Sequence, residues 1–218
     1  PLLLVILVEL INSLFIFNLE IHPWLSTIAT MLTTLGLERA ISQGYYITTT
    51  AKLFQIIRYE SILMVPLIVW ILIITFVILT LLLHKTPYGN HLYAIGGNMQ
   101  AAEKAGINTK ILRYTTFILM GILCWLTSII YVSKLSGYPP NAAYIVLLDV
   151  ILAVYIGMSV SKEGIITIGG ALFGAVFVAL LANGLALAGI SSYIIKLVEA
   201  CLIIVVAVSY THLTLPTN

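Results

Sequence analysis

The sequence predicts an all-α polytopic membrane protein with about seven transmembrane helices and one short helix outside the bilayer. Three observations predict it. Hydrophobic residues make up 61% of the 218 positions and charged residues only 8%, where a soluble domain carries about 25% charge; the mean hydropathy is +1.12. The apolar residues gather in runs close to the ~20 residues that a helix needs to cross a bilayer core. Between two of these runs lies a polar, glycine-bearing stretch, Thr86 to Lys110, TPYGNHLYAIGGNMQAAEKAGINTK.

The runs follow in order. Pro1–Phe17 is nearly long enough to span and carries Glu9 and Asn12. The chain opens inside this run without an initiating Met, and it reads as a fragment whose N-terminal part is missing. Asn18–Pro23 turns the chain, with Pro23 suited to a first helical turn. Trp24–Ser42 is rich in Thr and Ser and holds Glu38-Arg39. Gln43–Ser61 is polar and Tyr-rich, a loop with a surface helix. Ile62–Leu83 has no charged residue and rises about 33 Å as a helix. Ile111–Val132 spans next. Ser133–Asn141 is a turn by its Gly and two prolines. Ala142–Met158 contains Asp149. Ser159–Gly164 turns the chain, Ile165–Ala188 is a Gly- and Ala-rich span, and Tyr193–Val208 closes the set with Lys196 and Glu199. The membrane domain is thus 1–208, followed by a tail, 209–218.

Within the opening stretch the residues mark a short helix. Asn98 can N-cap it, Met99–Ala105 are good helix formers, and Gly106 suits the left-handed closing position with Ile107 folding back. Gly96-Gly97 permit a sharp turn ahead of it. Ala101 and Ala102 present a low-profile surface on which another protein could pack. Lys85, Lys104, Lys110, Arg113 and Lys162 fall on the side of this stretch, against Lys52, Arg58 and Lys134 opposite. By the positive-inside rule the stretch is cytoplasmic.

YAIGGNMQAAEKAGIN resembles the cytoplasmic coupling segment of ABC-transporter permeases of the ribose/xylose/galactoside type, with a pattern of roughly Y-A-x-G-G-N-x-x-A-A-x-x-x-G-I. Tyr93, Ala94, Gly96, Gly97, Asn98, Ala101, Ala102, Gly106 and Ile107 match. INSLFIFNLEIHPWLSTIATM resembles the same family at Asn12, Pro23, Thr27, Thr30 and Met31, and ANGLALAGISSY at Asn183, Gly184, Leu185, Gly189, Ser191 and Tyr193. The resemblance decays at IGMSVSKEGIIT, where Met158, Glu163, Ile166 and Thr167 stand in place of glycines and an arginine. It implies a permease subunit of a monosaccharide importer in a bacterial inner membrane. Its partners would be a separate ABC ATPase subunit, a second permease copy or homologue, an extracytoplasmic substrate-binding protein and membrane lipid. The related branched-chain amino-acid permease is the alternative. Gly96, Gly97, Asn98, Ala101, Ala102, Glu103 and Gly106 would form the coupling element that docks on the ATPase. Asn12, Asp149 and Asn183 are the intramembrane polar candidates for the pathway. The tail SYTHLTLPTN departs from the short basic tails usual in the family and is expected to be non-native sequence.

Several other functions find no support. No G-x-x-x-x-G-K-[ST] occurs, so the chain is not expected to hold ATP or Mg itself or to act as an enzyme. Asp149 is the sole aspartate, which excludes a paired-Asp intramembrane protease. His84 and His91 read as loop histidines without a third metal ligand. Cys124 and Cys201 sit in apolar runs as small buried residues. The ten Lys and Arg are scattered, with no basic run for nucleic acid. Gly170-Ala-Leu-Phe-Gly174 is a GxxxG that would let a neighbouring helix approach closely within the chain. Charges within spans must face protein or water; Lys196 and Glu199, three apart, can pair.

Overall fold

The computed structural model describes residues 1–161 and 165–214. Lys162, Glu163, Gly164 and residues 215–218, and with them the centre of the expected 159–164 turn and the end of the tail, lie outside the described residues. The chain divides into two compact units, the first covering Pro1–Pro140 and the second starting at Asn141.

The first unit begins with α1 (Leu2–Phe17) and α2 (Pro23–Ser42), and Pro23 starts α2 as its first residue. A short strand β1 (Ile47–Thr48) and the surface helix α3 (Lys52–Tyr59) follow. Strands β2 (Ser61–Ile62) and β3 (Val65–Pro66) form a two-residue hairpin. Then come α4 (Leu67–Lys85), α5 (Pro87–Gly97), α6 (Met99–Lys104), α7 (Thr109–Leu135) and β4 (Gly137–Tyr138). Helix α1 packs along α7, closely enough at Gly121 that a Cβ there would stand 3.2 Å from Glu9 Cγ. Strand β1 pairs antiparallel with β4, Ile47 opposite Tyr138. Tyr46 donates to the Leu135 carbonyl at 2.6 Å, and the Arg58 guanidinium bonds Ser136. The 43–66 region is therefore bound to the far end of α7. The polar corner 86–108 precedes the near end of α7 and follows the far end of α4, so it lies on the opposite side.

The expected span 62–83 starts later than the apolar run suggested. Ile62 pairs with Val65, and Leu63 and Met64 form the turn at φ 54° and 65°. Both are left-handed, a conformation costing roughly 1–2 kcal/mol per residue with a side chain. Pro66, which has no amide to give a helix, caps α4 from outside.

The second unit consists of α8 (Ala142–Val160), α9 (Ile168–Leu187) and α10 (Ser192–Thr214). Helix α10 runs six residues past the expected end at Val208. Thr167 caps α9, its hydroxyl oxygen accepting from the Gly170 amide at 3.1 Å. The core is small: Leu152, Ala153, Ile156 and Val178, with Leu202, Ile203 and Val206 packed against it. Outside it, large apolar side chains lie open, such as Leu180 at 68% exposure. That much apolar surface is stable in lipid and not in water.

Each of the seven expected spans overlaps one helix, α1, α2, α4, α7, α8, α9 or α10, with shifted bounds at α4 and α10. Among the described residues, four of them, α4, α7, α8 and α9, are long and apolar enough to cross a membrane, while α1 is a shorter apolar helix. The chain is a multi-pass, all-α membrane protein.

Candidate functional site

The polar corner is built by local rules. Pro87 occupies the first turn of α5, where its missing amide costs nothing. Gly89 lies so close beneath α4 that a Cβ would fall 1.9 Å from the Leu83 carbonyl oxygen; the fold from α4 into α5 requires glycine there. Gly96 and Gly97, expected to make a turn, are instead the last residues of α5, with open space where a Cβ would be. The break falls at Asn98, whose backbone is extended at φ −156° and ψ 105°. Its amide still donates to the Ala94 carbonyl at 3.0 Å, closing α5. Its side-chain oxygen accepts from the Ala101 amide at 3.0 Å, opening α6. One asparagine thus ends one helix and caps the next, which two flexible glycines could not do.

The far end of α6 closes by the two bonds of a Schellman motif. The Gly106 amide donates to the Glu103 carbonyl at 2.9 Å and the Ile107 amide to the Ala102 carbonyl at 3.1 Å, with Gly106 at φ 84°. Asn108 then caps α7, accepting from the Ile111 amide at 3.1 Å. The Thr109 hydroxyl donates to the Glu103 carboxylate at 2.7 Å, and Tyr88 and Thr116 hydroxyls meet at 3.0 Å between α5 and α7. Gly96, Gly97, Asn98, Ala101, Glu103 and Gly106 are all exposed. Ala102 is not: it is 4% exposed, covered by its own chain. Of the two alanines expected to offer a surface to a partner, only Ala101 is open. The Ile107 return and the start of α7 take the other.

Two polar clusters lie among the long helices. In the first unit, the Asn12 side-chain oxygen accepts from the Thr30 hydroxyl at 2.6 Å and from Ser26 at 3.4 Å, joining α1 to α2. Asn12 and Ser26 are buried. Ser26 and Thr30, one helical turn apart, were the only sequence sign that the Thr-rich α2 faces this asparagine. At the end of α1 the Arg113 guanidinium sits 4.4 Å from the centre of the Phe17 ring, and Tyr114 donates to Asn18 at 2.8 Å.

In the second unit, Lys196 of α10 pairs with Asp149 of α8 and, at 2.8 Å, with Glu199 one turn along α10. Glu199 is 0% exposed, and its Oε1 has no hydrogen-bond partner. The i,i+3 pair is local and legible in sequence; the bond to Asp149 is not. Gly170 and Gly174 of α9 lie against α8: a Cβ on Gly174 would fall 1.9 Å from the Ala153 carbonyl oxygen, and one on Gly170 2.6 Å from that of Gly157. Asn183, further along α9, is exposed. Among the described residues no three His, Cys, Asp or Glu gather where they could hold a metal ion; His84 stacks on Tyr93 at 6.1 Å.

Residues 2–207 match the family described as the branched-chain amino acid transport system / permease component. The chain is 32% identical over 207 residues to the ribose import permease protein RbsC of Haemophilus influenzae, covering 93% of this chain and 64% of that protein. It is 36% identical to RbsC of Bacillus subtilis, covering 90% and 62%. It is 30% identical to the L-arabinose transport system permease protein AraH of Escherichia coli, covering 84% and 56%. The chain thus spans less than two thirds of the length of these relatives. No solved structure matches it.

Proposed function

We propose, since this chain belongs to the branched-chain amino acid transport system permease-component family, that it is part of the membrane subunit of an ATP-binding-cassette importer for a monosaccharide. The observation that carries the substrate class is its 30–36% identity, along 84–93% of its length, to permeases named for ribose and L-arabinose. A sugar is therefore preferred to a branched-chain amino acid. The chain itself carries out no chemistry. ATP and Mg are held by a separate ATPase subunit, a second permease subunit completes the pathway, and an extracytoplasmic binding protein delivers the solute. The protein sits in the bacterial inner membrane with corner 86–108 in the cytoplasm.

The corner suits the coupling role because it is braced before any partner arrives. An isolated six-residue helix would be marginal in water. Here both ends are capped and Glu103 is tied to Thr109, so a push on α6 would be delivered to α7. A preformed helix also loses little entropy on docking into a groove. Among the pathway candidates, Asn183 lies exposed on α9, whereas Asn12 and Asp149 are engaged between helices. The test is reconstitution of the whole importer in vesicles, with uptake measured for ribose, arabinose, galactose and leucine. Sugar uptake that requires ATP supports the reading; ATP-driven uptake of leucine alone replaces it with the amino-acid alternative.

A further inference from the structure

We propose that the Leu63–Met64 hairpin tip is a membrane-interface anchor, seated in the phospholipid headgroup–acyl boundary where α4 enters the bilayer. The turn is of the two-residue hairpin type in which both central residues are left-handed, and Asn-Gly or Asp-Gly are its usual occupants. This chain places Leu and Met there, at φ 54° and 65°. Their side chains are 81% and 98% exposed. The strained backbone is thus used to hold two large apolar groups away from the chain, where they contribute nothing to its own packing.

The tip is firmly held. Ile62 pairs with Val65 across the hairpin, and the Leu67 amide donates to the Glu60 carbonyl at 3.1 Å. The Trp70 indole, in the first turn of α4, donates to the Ile62 carbonyl at 3.1 Å. Beyond it the exposed surface of α4 continues as Val69, Leu72 and Ile73, so the tip adjoins the face that α4 gives to lipid. Helix α3 packs on α4 and β3. It buries Ile57 inward and leaves Leu53, Ile56 and Tyr59 exposed. Lys52, Arg58 and Glu60 flank that apolar surface, with Arg58 5.2 Å over the Tyr59 ring. Apolar side chains beside Trp, Tyr and basic groups at a span boundary are what a segment lying in the interface presents. The inference rests on the membrane location and not on the proposed substrate.

The test uses the full chain in liposomes of phosphatidylcholine and phosphatidylglycerol, with Cys124→Ser and Cys201→Ser removing the native thiols and Met64→Cys carrying a fluorescent probe. Position 64 is almost wholly exposed, so the substitution leaves the fold intact. A lipid bearing a nitroxide at shallow depth is expected to quench the probe several-fold more than the same probe at Gln100 on α6. Aqueous iodide is expected to quench it less. Quenching by iodide equal to that at Gln100, with none from the lipid, overturns the proposal. So does lipid quenching that disappears when the extracytoplasmic binding protein is added, which would make the tip a protein-docking element.

Discussion

The hydroxyl of Thr109 donates to the carboxylate of Glu103 at 2.7 Å, across the Schellman turn that separates α6 from α7. Thr109 is 3% exposed, while Glu103 is open to solvent. The bond therefore satisfies a buried donor with an exposed acceptor, and the two partners are not equivalent. Glu103→Ala leaves the Thr109 hydroxyl buried and unpaired, at about 1–3 kcal/mol. Thr109→Val removes the hydroxyl and leaves Glu103 to water, a smaller loss. Thermal unfolding in detergent should rank Glu103→Ala below Thr109→Val, and hydrogen exchange should show α6 opening first in the former. Equal losses would mean that the bond does not brace the corner.

Ala101 and Ala102 should respond differently to the same change. Ala101→Arg points into open space and should leave the melting temperature unchanged. In the proposed complex it overpacks the docking groove and buries a charge, and several kcal/mol of lost binding weakens the ATPase by about 10²-fold or more. Ala102→Arg forces the same group into the chain's own packing and should destabilise the permease itself. Co-purification with the ATPase, read beside unfolding, separates the two. Wild-type binding by Ala101→Arg would remove α6 from the coupling role.

The intramembrane cations and carboxylates make an ordering. Lys196→Met strips the buried Glu199 of its ammonium partner. Removing one member of a buried pair costs about 3–5 kcal/mol, and the partial exposure of Lys196, 36%, places this case at the low end. Asp149→Asn keeps an acceptor for Lys196, which also retains Glu199, so folding should be nearly unaffected. Asp149→Leu should fall between. Unfolding midpoints of the three variants in detergent check the order, and a Lys196→Met protein as stable as Asp149→Asn would contradict the pairing.

Helix contact in the second unit depends on missing side chains. Gly174→Ala places a methyl within 1.9 Å of the Ala153 carbonyl oxygen, as measured from the glycine backbone, and should cost about 1–3 kcal/mol by forcing α8 and α9 apart. Gly184→Ala on the same helix meets nothing within 4 Å and should stabilise by about 0.5–1 kcal/mol through helix propensity. Opposite shifts in melting temperature are the expected outcome; shifts of the same sign would place the close contact elsewhere.

The sequence by itself determined the membrane class, the helices under the apolar runs and the caps of α6. These follow from effects that act within a turn or two of the chain: lipid requires every backbone group to be bonded inside a helix, and Asn98 and Gly106 serve amides and carbonyls only a few residues away. The tertiary structure decided which side of each helix is used. Asn12 meets Thr30, Lys196 meets Asp149, Gly174 meets Ala153 and Ala102 is covered while Ala101 is not, because each depends on a second helix whose position no local pattern encodes. Apolar runs were also silent on where α4 begins: Ile62–Met64 are as hydrophobic as the helix after them. Their departure into a hairpin rests on Pro66 withholding an amide and on the pairing of Ile62 with Val65, a hydrogen-bonding matter that hydropathy does not record.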